Sequence, residues 1–187
     1  MSARQYTLLN PGPVNIRPNV RKTLLLPDLC HREPEFGALL KETRANLLKV
    51  FGIEKEFTTA IITGSGTSAL ESAVSSCVGE GEKILVINNG VYGDRISKIA
   101  DLHGIEKVEL KYNFDMRPRL QDVDRELSKD ESIRVVAMVH HETSSGMLNP
   151  LEEIGSIVKK HDRVFLVDAT SVGRFSLRSR KPRQAEA

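Results

Sequence analysis

The chain has 187 residues, 40% of them hydrophobic and 28% charged, and a formal net charge of only +2. That composition fits a globular protein with one full domain, or a large domain plus part of another. The near-neutral balance gives no reason to invoke nucleic acid, and no run of about 18 apolar residues offers a membrane span. MSARQYTLLNPGP has no long apolar core of a signal peptide, so a cytoplasmic enzyme or binding domain is expected. Cys30 and Cys77 form no metal-like or redox spacing and are expected as small buried residues.

The proline-rich opening LLNPGPVNIRPNV predicts an extended, pinned segment over residues 1–35. Apolar residues at Phe36, Leu39, Leu40, Leu47, Leu48 and Phe51 predict a helix over 36–51, stopped by Gly52. An alternating series follows. A strand is predicted at 58–62, then a helix at 68–77 in which Ser68 and Glu71 fit a capping box. The next pairs are a strand at 83–88 with a helix at 93–103, and a strand at 106–111 with a helix at 120–127. A buried strand at 135–139, a helix at 151–161 and a strand at 164–167 ending on Asp168 complete it. Such alternation predicts an α/β fold, a mostly parallel sheet with helices on both faces, over residues 36–173. From residue 174 the tail RFSLRSRKPRQAEA loses the pattern and reads as a solvated basic end, as though the domain stopped after its Asp168 strand.

In such sheets ligands bind beyond the carboxyl ends of the strands. Four polar groups are predicted there: Gly64–Thr67, Asn88–Tyr92, His140–Thr143 and Asp168. GSGTSA, starting at Gly64, formally matches a dinucleotide fingerprint, but the next strand ends on Asn88 and Asn89 where a ribose-binding acid is wanted. The hydroxyls of Ser65 and Thr67 suit a phosphate monoester better; a tight turn without a ligand is the plainer reading. His140, His141 and Glu142 invite a metal, yet a zinc-protease pattern would need histidine where Ser145 stands. Thr143, Ser144 and Ser145 could face a ligand instead. Asp168 either caps its loop or keeps a heteroaromatic nitrogen protonated. Tyr92, between Gly90 and Gly93, either packs in the core or stacks on a planar ligand. A phosphate cup, a stacking ring, a hydroxyl donor and a carboxylate together suit pyridoxal 5′-phosphate.

LLNPGPVNI, TGSGTSALES, NNGVYGDR, HHETSSGMLNP and LVDATS, in that order, resemble the fold-type I, class V aminotransferases over residues 6–172. The resemblance implies the large cofactor-binding domain of that fold and a homodimer when complete. It implies that Ser65, Gly66 and Thr67 hold the cofactor phosphate, Tyr92 stacks on its ring, Thr143 bonds its ring hydroxyl and Asp168 pairs with its ring nitrogen. Asn10, Pro11, Gly12 and Pro13 would lie on the substrate side. The run HETSSGMLNP is most similar to members that move an amino group from 2-aminoethylphosphonate to pyruvate. Alternatives are members acting on alanine or serine with glyoxylate, and a non-catalytic cofactor-binding or partner subunit. The family's Schiff-base lysine has no counterpart here: Lys181, in SRKPR, is the only lysine beyond Asp168 and does not match its motif. A truncated chain with little activity alone, and with no identifiable catalytic residue, is therefore expected.

Overall fold

The computed structural model describes residues 6–10 and 12–172; Pro11, Lys181 and the basic tail lie outside the described residues. The chain divides into two compact units, one ending at Ile61 and the other beginning at Ile62.

In the N-terminal unit the expected extended opening is interrupted by a short helix, α1 (Pro18–Lys22), and a 3₁₀ turn at Thr23–Leu25. Pro18 fits the first helical position, where a missing N–H costs nothing. The helix α2 (Pro34–Phe51) also starts on a proline and ends as predicted: Gly52 is left-handed at φ 72° and donates its N–H to Leu48 and Lys49 carbonyls. Cys30 and Cys77 are both exposed, against the expectation of burial. Cys30 sits in the loop before α2, and Cys77 ends a helix on its open side.

The second unit holds α3 (Gly66–Cys77), β1 (Lys83–Asn88), α4 (Val91–Leu102), β2 (Lys107–Lys111), α5 (Leu120–Lys129) and β3 (Ile133–Val139). A two-residue hairpin, β4 (His141–Glu142) with β5 (Met147–Leu148), precedes α6 (Leu151–Lys160) and β6 (Val164–Asp168). The main sheet runs β2-β1-β3-β6, every pair parallel.

Alternation along each strand splits the core into two layers. Ile84, Val86, Val135, Ala137 and Val139 meet Leu70 and Val74 of α3 and Ile96, Ile99 and Ala100 of α4. Leu85, Ile87, Val136 and Met138 meet Val123 and Leu127 of α5 and Ile154 and Val158 of α6. Helices thus cover both faces, and the two central strands, β1 and β3, are almost wholly apolar because neither of their faces meets water, whereas the edge strand β2 (KVELK) is more exposed.

Two local expectations fail. Residues 58–62 form no strand, and α3 begins at Gly66, two residues before the predicted start. Its cap is Ser65, whose side chain accepts from Ser68 N–H, so Ser68 and Glu71 make no capping box.

Candidate active site

The strand order reverses between β1 and β3. From β1 the chain crosses to β2 on one side, then returns to β3 on the other. A crevice opens at such a switch point, beyond the carboxyl ends of the strands. The register sets those ends level: Ile87 pairs with Met138, and Val139 with Asp168.

Asn88 and Asn89 leave β1 into the crevice, both buried. The Asn88 amide donates to Asp94 Oδ1 at 2.8 Å and Glu109 Oε1 at 2.6 Å. That bond, aided by Lys111 at 3.2 Å, holds the Asp94 carboxyl below its ordinary range. Asn89 exchanges amide hydrogen bonds with Asn149 at 2.9 and 3.1 Å, and Asn149 also donates to the Val139 carbonyl. These buried asparagines tie the end of β1 to the end of β3 and satisfy each other's polar atoms.

The helix α4 starts where a side chain from 50 residues further on closes its open end. Glu142 is fully buried, and its Oε2 accepts from Tyr92 N–H at 3.1 Å and Gly93 N–H at 3.3 Å. Its Oε1 accepts from Ser144 N–H at 3.2 Å and Ser144 Oγ at 2.5 Å, and Ser144 Oγ in turn accepts from Val91 N–H. A carboxyl group at a helix start satisfies donors that have no helical partner and suits the dipole. Gly90 makes room for it: a Cβ there would lie 2.3 Å from Glu142 Cδ and Cγ. Gly93 allows the same closeness to Asn88, with a Cβ position 2.5 Å from Oδ1 and 2.9 Å from Cα.

The start of α3 is the opposite case. Among the described residues no protein acceptor takes the Gly66 or Thr67 N–H, and Gly66 is exposed. A Cβ at Gly66 would stand 3.3 Å from the Thr170 side chain, so this turn lies beside the end of β6. Arg95 donates to Thr67 Oγ1 at 3.1 Å, and its guanidinium lies 4.8 Å from the Tyr92 ring centroid. One cation therefore touches both the predicted phosphate turn and the predicted stacking ring.

The structure brings Ser65, Gly66, Thr67, Tyr92, Thr143 and Asp168 to one end of the sheet. Tyr92 is partly buried, packing against the α3–α4 layer, and the Arg95 guanidinium lies over its ring. Thr143 sits between Glu142 and Ser144 and is partly exposed. Asp168, also partly exposed, accepts from Thr170 N–H at 3.0 Å, and its carbonyl accepts from His140 N–H. Asn10, Gly12 and Pro13 lie in the N-terminal unit, all exposed, in a loop that Asn15 closes by bonding Leu8 N–H and the Tyr6 carbonyl. Among the described residues no cluster of three or more His, Cys, Asp and Glu could hold a metal. Arg95 and Asn149 are polar members that motif reading missed; Ser144 was expected to face a ligand, and Glu142 was read only as part of a metal pattern, not as a helix cap. The signal available was NGVYG itself, since two glycines around one ring imply close neighbours on both sides.

The open helix start and the partly exposed carboxylate at the strand end fit a flat, phosphate-bearing cofactor. The unpaired N–H groups match the phosphate, and Asp168 matches a protonated ring nitrogen. Comparison with known proteins agrees. The family model for aminotransferase class-V matches residues 26–174. The 2-aminoethylphosphonate–pyruvate transaminase of Syntrophobacter fumaroxidans is 39% identical over 166 residues, 89% of this chain and 44% of that protein. The transaminase of the same name from Salmonella paratyphi C is 34% identical over 172 residues, 91% of this chain and 47% of that protein. Among solved structures, ureidoglycine–glyoxylate aminotransferase from Bacillus subtilis matches at TM-score 0.82 and 27% identity, over 92% of this chain and 44% of its own. Pyridoxamine–pyruvate aminotransferase from Mesorhizobium loti matches at 0.80 and 28%, over 89% and 42%. The chain thus spans just under half the length of the curated relatives it matches.

Proposed function

The chain belongs to the aminotransferase class-V family, whose cofactor is pyridoxal 5′-phosphate, and from that premise we propose that it carries the cofactor-holding half of a transaminase moving an amino group from 2-aminoethylphosphonate to pyruvate. The single observation carrying the substrate assignment is the 39% identity over 166 residues to a protein of that name. The glyoxylate alternative is less favoured: an alanine–glyoxylate aminotransferase from Nostoc is 28% identical over a similar span.

Pyridoxal 5′-phosphate, when bound, supplies an electron sink for charge that develops on the amino donor's carbon. The chain's own residues bind and orient. Ser65 Oγ, Thr67 Oγ1 and the N–H groups of Gly66 and Thr67 take the phosphate at the α3 start, where the dipole adds its positive end. Arg95, bonded to Thr67, places a cation beside that charge. Tyr92 would stack on the cofactor ring, and the Thr143 hydroxyl would bond the ring oxygen. Asp168 keeps the ring nitrogen protonated by pairing with it, which strengthens the sink. The roles proposed for these residues are binding and orientation of the cofactor.

Stable reduced conjugates of the cofactor with each amino donor test the assignment without requiring turnover. Titration calorimetry should show phosphopyridoxyl-aminoethylphosphonate binding more tightly than phosphopyridoxyl-serine. Equal or weaker binding contradicts the substrate; no binding of either contradicts the cofactor site.

A further inference from the structure

We propose that Glu142 is a positioning residue that sets the pose of the Tyr92 ring and of the Thr143 loop together, and that it reserves the α3 start for the phosphate. The inference rests on the cofactor reading above and adds a residue to it.

Two helix starts meet beside the Arg95 guanidinium, α3 through Thr67 and α4 through Tyr92, and either of this pair could attract an anion. Only one is open. At α4 the N–H groups of Val91, Tyr92 and Gly93 are all taken, the first by Ser144 Oγ and the others by Glu142 Oε2. The protein's own carboxyl group occupies the place an external phosphate would take, and repels one besides. At α3 the Gly66 and Thr67 N–H groups remain without a protein acceptor among the described residues.

Glu142 also fixes geometry. Its two oxygens serve different parts of the site: Oε2 holds the backbone of Tyr92, and Oε1 holds the backbone and hydroxyl of Ser144. Thr143 lies between them in sequence, so the stacking ring and the ring-hydroxyl donor share one buried anchor. The side chain is fully buried and Gly90 leaves no slack around it, since a Cβ there would sit 2.3 Å away. A glutamine in its place keeps the shape but presents an NH₂ group to one pair of donors. Either Tyr92 and Gly93 or Ser144 then lose their acceptor, and that segment shifts.

Glu142→Gln separates this role from a merely structural one when two ligands are compared by calorimetry. Inorganic phosphate needs only the α3 start; pyridoxamine 5′-phosphate also needs the ring and loop. The expected result is a loss of about tenfold or more in affinity for pyridoxamine 5′-phosphate with phosphate affinity retained. Unchanged affinity for both ligands in E142Q overturns the proposal. If E142Q does not fold, Ser144→Ala decides: a selective loss for pyridoxamine 5′-phosphate supports the shared anchor, and no selective loss overturns it. A wild-type chain that binds neither ligand overturns the cofactor reading, and this inference with it.

Discussion

Asp130 lies beyond the end of α5 and is gripped by three donors: Ser132 Oγ at 2.5 Å, Ser132 N–H at 2.9 Å and Lys83 Nζ at 3.0 Å. The Ser132 hydroxyl first, then Lys83, holds its carboxyl down at about 2 against the ordinary 3.8. A carboxyl depressed by folding stabilises the protein fully above its unfolded value, and that contribution disappears as pH falls through the folded one. Urea midpoints should therefore drop between about pH 4 and pH 2. In Asp130→Asn the midpoint at neutral pH should be lower and the acid decline shallower; an identical decline in both proteins would contradict the linkage. At this scale the sequence was partly legible. Ser65, Tyr92 and Asp168 stand out because each is a polar or aromatic residue at a strand end or turn. Glu142 stood out only as part of a metal pattern; its capping role was not legible, because its partners Tyr92 and Gly93 are 50 and 49 residues away and no local pattern reports a helix cap borrowed across the sheet.

Among the elements, α6 shows how pattern becomes stability. Ile154 and Val158, one helical turn apart, are both buried against Phe165 and the β3 side chains. Ile154→Ala leaves a cavity where Ile154 is fully enclosed, and should cost about 2–5 kcal/mol in equilibrium unfolding. A cost near zero would mean that this face of the sheet is not packed as described. The strands β1, β3 and β6 were legible as short apolar runs, since each is sandwiched between helix layers and needs no polar face. Residues 58–62 carry the same signal, yet form no strand. An apolar run becomes a strand only with a hydrogen-bonded neighbour, and β2-β1-β3-β6 is the whole main sheet among the described residues. Composition cannot report whether a partner exists. The α3 boundary was misread for a related reason: Ser65 and Ser68 are both competent caps, and the choice between them depends on the turn made by Gly64 and Gly66.

At the scale of the whole molecule, topology turns scattered motifs into one site. Parallel β1, β3 and β6 deliver Asn88, Val139 and Asp168 to the same level, and the crossover at β1 opens the crevice beside them. Alternating elements made this sheet predictable, and with it the end at which ligands gather. The starts of α3 and α4, one open and the other closed by Glu142, would give the crevice a direction under the proposed function: phosphate toward α3, ring toward Tyr92 and Asp168. On the proposed function, the open start of α3 holds the phosphate of a pyridoxal-type cofactor. Calorimetric titration of the chain with pyridoxamine 5′-phosphate and with pyridoxamine, which differ only in that phosphate, tests it most directly. The phosphate-bearing ligand should bind roughly a hundredfold more tightly, as two or more charge-assisted hydrogen bonds would give; equal affinity for the two would contradict it.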